Sequence, residues 1–165
     1  MPHKLLMYSD GACTFNGRKQ AAASGSFAAY LVPCGTIWGW HGQESEEKHL
    51  RLKEEGRPLV HMEKMTVVAG AHERPTNNLA EAKTLESALI WARNYVRDHH
   101  DDVTSVEVCM DSRTVEYQLK GVYRTNAEHL KRIHARILDI IDEITVPVHL
   151  VWIPGTLMKQ TIIAH

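Results

Sequence analysis

"YSDGACTFNG", residues 8–17, sets an aspartate directly behind an apolar run. Leu5, Leu6, Met7 and Tyr8 precede Asp10, and Gly11 and Ala12 follow it. Residues 4–10, "KLLMYSD", predict a buried strand that Asp10 ends, with Asn16 and Gly17 punctuating the turn beyond. A carboxylate in that place is costly to bury unless it is paired or binds a metal. Fold and function therefore both turn on which other carboxylates come to meet Asp10.

Working outward, residues 24–32, "SGSFAAYLV", predict a second strand, and 36–40, "TIWGW", a further extended stretch. Trp38 and Trp40 alternate there around Gly39, as core or edge packing or as a stacking platform. Residues 42–58 carry nine charged side chains, five glutamates and four basic residues, and end in Gly-Arg-Pro. They predict a charged insertion, a solvated helix or mobile segment rather than a binding tail. Strand character returns at 64–71.

"TNN", residues 76–78, opens the clearest helix. Leu79, Ala82, Leu85, Ala88, Leu89, Ala92, Tyr95 and Val96 recur at spacings of three and four. Asn78 is the expected N-cap, with Glu81 three residues on in a capping-box-like pattern. A strand follows at 103–109, a short helix capped by Ser112 to about Leu119, a longer helix over 125–144, and a last strand at 148–153 closed by Pro154. Strands first, then helices alternating with strands, describe a mixed α/β sheet domain.

The 165 residues suit one domain spanning 1–165. Nineteen basic against twenty acidic residues give a net charge of -1, which speaks against a strongly basic nucleic-acid binder but leaves room for a local patch. The three cysteines, Cys13, Cys34 and Cys109, lack C-x-x-C spacing and are odd in number, as in a reduced cytoplasmic protein. The apolar run before Asp10 is too short for a signal peptide, and no run approaches a membrane span. His41, His49, His61 and His72 surround the insertion, without the two-plus-two spacing of a zinc site.

Three acidic residues sit at comparable element ends: Asp10 after the first strand, Glu81 at the start of the long helix, and Asp111 immediately after "VEVCM". If the first strand and the 103–109 strand are parallel neighbours, Asp10 and Asp111 face each other across about 5 Å, and Glu81 comes in from the helix above. Each has a plain structural reading as well: a turn cap for Asp10, a helix-dipole partner for Glu81, an N-cap or Asx-turn for Asp111. Three converging carboxylates repel one another unless protonated or bridged by cations. Hard oxygen ligands of this kind suit Mg²⁺ or Mn²⁺.

Taken together, these motifs resemble the ribonuclease H family. "YSDGA" is similar to its first motif, "TNNLAE" to its second and "VCMDS" to its third, in the family's order and over nearly the whole chain. Residues 113–144 resemble the short-loop archaeal, bacterial and plant-type members. The resemblance implies a ribonuclease H-like fold, a mixed five-stranded sheet with helices on both faces. It implies that Asp10, Glu81 and Asp111 bind divalent ions and hydrolyse the RNA strand of RNA–DNA hybrids by two-metal-ion catalysis, leaving a 3′-hydroxyl and a 5′-phosphate. It also implies that Asn78, and more weakly Asn16, touch the hybrid's minor groove. Lys120, Tyr123 and Arg124 are candidates for phosphates of the DNA strand, or simply a solvated loop.

The chain departs from the family in its last segment. A fourth carboxylate normally stands in a segment resembling His-Val-Pro-Arg-Glu-x-Asn-x-x-Ala-Asp, where this chain has "VWIPGTLMKQTIIAH", residues 151–165. Ile153-Pro154 match the Val-Pro, Ile162 takes the aspartate's place, and no Asp or Glu follows Glu143. His165, three residues past Ile162, is either a substitute metal ligand or a frayed chain end. Otherwise three carboxylates hold two Mg²⁺ or Mn²⁺ ions, one of them weakly. Two alternatives stay open: a weakened or inactive module that binds nucleic acid, a protein partner or a second copy, and a nuclease acting on another nucleic acid.

Overall fold

The computed structural model describes residues 2–14, 22–35, 42–54, 59–68 and 75–161. Asn16, Trp38, Trp40, His41, His72, Ile162 and His165 lie outside the described residues.

Five strands form one mixed sheet: β1 (His3–Thr14), β2 (Ala22–Pro33), β3 (Leu59–Val67), β4 (Val103–Met110) and β5 (Val148–Trp152), in the order β3-β2-β1-β4-β5. β1 pairs antiparallel with β2, and β2 with β3, while β4 runs parallel to β1 and to β5. The helices are α1 (Gln43–Glu54), α2 (Asn77–Asp98), α3 (Arg113–Leu119), α4 (Glu128–Glu143) and α5 (Gly155–Thr161). This is the ribonuclease H-like α/β fold, with helices on both faces of the sheet.

Alternation along the strands builds two cores. Leu5, Met7, Phe27, Ala29, Val106, Val108 and Met110 face α2 and α4, whose stripes include Leu85, Ala88, Leu89, Ile133 and Ile137. Leu6, Tyr8, Ala28, Tyr30, Val32 and Cys109 face the other way, under Leu52 of α1 and Leu157 and Met158 of α5.

Several elements differ from the sequence expectation. β1 continues four residues past Asp10, because its antiparallel ladder with β2 runs on to Thr14↔Ala22. The parallel ladder with β4 ends at Ser9↔Met110, so Asp10 is the first residue beyond that pairing rather than the end of the strand. β3 lies at Leu59–Val67, ahead of the expected 64–71, because its register with β2 pairs Leu59 with Tyr30 and Val67 with Ala23. α4 begins at Glu128, three residues later than the periodicity suggests.

The charged insertion is not a fully solvated helix. Ser45, His49 and Leu52, at i, i+4 and i+7, are buried against the sheet. His49 Nδ1 shares a 2.6 Å hydrogen bond with the Tyr8 hydroxyl, and the two rings meet edge to face. Beneath the same cover lies a buried ion pair, Lys4 Nζ to Glu107 Oε1 at 3.0 Å. Lys4 and Glu107, each a charge among apolar residues of a strand, were the available sequence signal for it.

Candidate metal centre

Each carboxylate of the centre arrives on a different element. Asp10 comes from β1, one residue past the parallel ladder, and Asp111 follows the last residue of β4. Glu81 descends from α2, which packs across β1 and β2. Two glycines admit that helix. A Cβ on Gly11 would strike the backbone of Ala80 and sit 2.5 Å from the Glu81 nitrogen. Gly25, directly opposite Gly11 in the β1–β2 register, would strike the side chain of Thr84, one turn further along. The helix backbone therefore lies almost on the sheet at its N-terminal end, and Glu81 reaches the strand tips.

The N-terminus of α2 corrects the expected cap. Thr76, not Asn78, is the N-cap, and its hydroxyl accepts from the Leu79 N–H at 3.1 Å. Helix numbering from Asn77 puts Glu81 in the second turn, so no capping box forms. Its carboxyl group is instead free to accept from the backbone N–H of Gly11 and to hydrogen-bond with Asp111 and Asp10. Asn77 Oδ1 takes the N–H of Cys13 at 3.0 Å, a second tie between the helix start and β1.

One ligand atom from each of Asp10, Glu81 and Asp111 lies within 4.8 Å of the others, and all three residues are half-buried. This is the one such group of three among the described residues. The electrostatics follow from the crowding. Burial, then Asp111 and Asp10, lift Glu81 to about 10. Burial, then Asp111, lift Asp10 to about 6, and burial raises Asp111 as well. Without a cation, burial and mutual repulsion favour the protonated form across the cluster, most strongly at Glu81. Three hard oxygen donors that cannot all ionise alone are the donor set a divalent cation satisfies, so Mg²⁺ or Mn²⁺ fits these residues.

The backbone of Asp111 is braced by residues that sequence reasoning passed over. The Trp152 indole N–H donates to the Asp111 carbonyl at 3.1 Å. The Arg113 guanidinium lies 3.8 Å from the Trp152 ring centre and donates to the Tyr117 hydroxyl at 2.9 Å. Ser112 caps α3 as expected, accepting from Val115 N–H at 3.2 Å. Only the tertiary fold places Trp152 there, by pairing β5 with β4 so that Met110 stands beside it.

The remaining candidates are more dispersed. Asn78 is half-buried and lines a cavity of about 390 Å³ with Thr76, Asn77, Ala127, His129 and Leu130. Lys120 is exposed and pairs with Glu116 at 3.0 Å. Tyr123 packs edge to face on Tyr117, half-exposed, and Arg124 is exposed beside it. His49 and His61 are not joined in a metal group: His49 bonds Tyr8, and His61 stacks on Trp91 at 4.7 Å.

The sheet order and flanking helices define a ribonuclease H-like fold, with three carboxylates clustered beside its central strands. Comparison with known structures agrees on the fold. The ribonuclease H1 of the halophilic archaeon Halobacterium salinarum is 22% identical, with a TM-score of 0.64 over 95% of this chain and 90% of that one. The N-terminal RNase H domain of a Mycobacterium tuberculosis protein is 17% identical, with a TM-score of 0.64 over 93% and 84%. A ribonuclease H1 isolated from compost, LC11, in complex with an RNA/DNA hybrid, is 24% identical, with a TM-score of 0.62 over 92% and 86%. No protein-family model matches the chain, and no curated protein matches it. No helix among the described residues is long and apolar enough to cross a membrane.

Proposed function

We propose that this protein is a metal-dependent endonuclease that hydrolyses the RNA strand of RNA–DNA hybrids, acting as a single cytoplasmic domain. The observation that carries this reading is the convergence of Asp10, Glu81 and Asp111, from three separate elements, to within 4.8 Å. The likeness in fold to a ribonuclease H1 in complex with an RNA/DNA hybrid supports the choice of substrate.

In this reading, Asp10, Glu81 and Asp111 hold Mg²⁺ or Mn²⁺, one ion firmly and a second loosely. Bound divalent ions supply a nucleophilic water at neutral pH and stabilise charge on the leaving oxygen. Glu81, whose carboxyl burial and its acidic neighbours raise to about 10 in the metal-free protein, would have to release its proton for these residues to hold the ion. The Gly11 N–H then holds the Glu81 carboxylate toward Asp10. The Trp152 indole fixes the Asp111 backbone, so that ligand stays in place while substrate binds and leaves. Asn78 reads the minor groove at the 2′-hydroxyl, and Lys120, Tyr123 and Arg124 meet phosphates of the DNA strand. Asn16 on the first loop and His165 at the chain end are secondary candidates for substrate and metal.

One observation favours a second reading, a weakened or inactive nucleic-acid-binding module. Residues 144–165 contain no Asp or Glu, so that segment offers no fourth acidic side chain to the cluster.

Cleavage of a labelled RNA–DNA hybrid, by the wild type and Asp10→Asn side by side, in Mg²⁺ and then Mn²⁺, separates the two. The wild type alone should cut, and Asp10→Asn should fall to background while keeping its circular dichroism spectrum. Equal cutting by both would overturn the site. No cutting by the wild type in either metal would favour the binding module.

A further inference from the structure

Arg113 stands between the carboxylate cluster and the turn that follows α3. On one side its guanidinium lies 3.8 Å from the centre of the Trp152 ring, whose indole N–H donates to the Asp111 carbonyl. On the other side it donates to the Tyr117 hydroxyl at 2.9 Å and stands 3.9 Å from Glu116 Oε1. Tyr117 and Glu116 are also the residues that hold the turn. The Tyr117 carbonyl accepts from the Val122 and Tyr123 N–H groups at 2.8 and 3.0 Å. Glu116 Oε2 takes the Lys120 ammonium at 3.0 Å.

Glu116 is shared unequally between its two cations. Its side chain is 5% exposed, against 45% for Lys120 and 49% for Arg113. Lys120 satisfies Oε2, while Oε1 is buried with no hydrogen-bond partner among the described residues. A buried carboxylate that loses its cation is strongly destabilising. The half-exposed Lys120 can turn outward to a phosphate. Glu116 is then left with Arg113, 3.9 Å from its unsatisfied oxygen. Closing that gap to hydrogen-bond distance shifts the guanidinium on the Trp152 ring. We propose that Arg113 is a positioning residue that takes over Glu116 when Lys120 engages a nucleic-acid phosphate, and so carries contact at the turn to the Trp152 brace on Asp111. The inference rests on the readings of Lys120 as a phosphate contact and of Asp111 as a metal ligand.

Nuclear magnetic resonance of the full chain tests it through the Trp152 indole N–H, assigned with Trp152→Phe. Lys120→Met should shift that resonance, although the two residues are joined only through Glu116 and Arg113. A short RNA–DNA hybrid added in EDTA, where nothing is cut, should shift it as well. Lys120→Met should have no effect on the resonance once Glu116→Gln or Arg113→Met is present. Arg113→Met should weaken Mn²⁺ binding by about tenfold, as loss of a group that orients a ligand does. Arg113 and Lys120 are half-exposed and Glu116→Gln keeps its shape, so these variants keep the fold. A Trp152 resonance unmoved by Lys120→Met would overturn the role of Arg113, and would leave the metal site standing if the wild type binds Mn²⁺. Hybrid affinity unchanged in Lys120→Met would overturn the phosphate contact and with it the proposal. No Mn²⁺ bound by the wild type would overturn the metal site, while the response of the indole to Lys120→Met would still decide whether Arg113 links the turn to Asp111.

Discussion

Gly11 and Ala80 meet backbone to backbone: no side chain fits between strand β1 and helix α2 at that point. The contact sits one residue from Asp10 and one residue from Glu81, so the spacing between strand and helix is also the spacing between two ligands.

Gly11→Ala is therefore expected to cost about 1–3 kcal/mol of stability or more, because backbone rather than a flexible side chain must yield. It should also weaken Mn²⁺ binding, since Glu81 moves away with the helix. Urea unfolding and Mn²⁺ titration measure the two effects. Wild-type stability and affinity in this variant would show that α2 has slack against the sheet.

The pH dependence of the metal-free protein follows from the crowded carboxylates. The folded protein holds Glu81 at about 10 and Asp10 at about 6, both above their ordinary values near 4. Folded protein therefore keeps protons that unfolded chain has already released. The stability tied to those protons is fully present below pH 4, drains through pH 6 as Asp10 ionises, and continues to drain toward pH 10 through Glu81. In EDTA, Tm should fall between pH 5 and pH 9. Glu81→Gln, which cannot ionise, should raise Tm at pH 8 by about 4–8 °C if it relieves about 2 kcal/mol. Saturating Mn²⁺ should restore the wild type at pH 8. A Tm that stays level from pH 5 to 9 would show that the three carboxylates do not share one site.

Lys4 and Glu107 offer a test of the opposite face of the sheet. Both side chains are almost wholly buried, at 4% and 0% exposure, so removing one leaves the other charge buried without this ion pair. Lys4→Met alone should cost about 3–5 kcal/mol in urea unfolding, while Lys4→Met combined with Glu107→Leu should recover most of that loss. Additive losses in the double variant would mean that each residue is stabilised by other partners and not by the pair.

Much of this fold was legible as pattern. The stripe from Leu79 to Val96 announced α2, because a helix that buries one face must repeat at three and four residues. Asp10 and Asp111 were legible for a related reason: each follows a run too apolar to be anything but a core strand. What pattern misread was local competition. Thr76 and Asn78 are both good caps, and only the packing of α2 into Gly11 and Gly25 selects the earlier start that frees Glu81 from a capping role. The insertion misled for the same reason, since three buried positions among many charges make a weak stripe until a sheet lies beneath them.

The sequence by itself determined which residues could bear the chemistry, because carboxylates beside apolar strands and a TNN-led helix are properties of short, contiguous segments. It also determined that residues 144–165 carry no Asp or Glu. Tertiary structure alone decided that β1 and β4 lie side by side and parallel, that α2 comes close enough to complete the cluster, and that the start of α5 at Gly155 abuts Asp111. Those relations join residues far apart in the chain. They depend on strand order, on the absence of a Cβ at Gly11, and on the rotation of α5 set by Leu157 and Met158, none of which has a local signature.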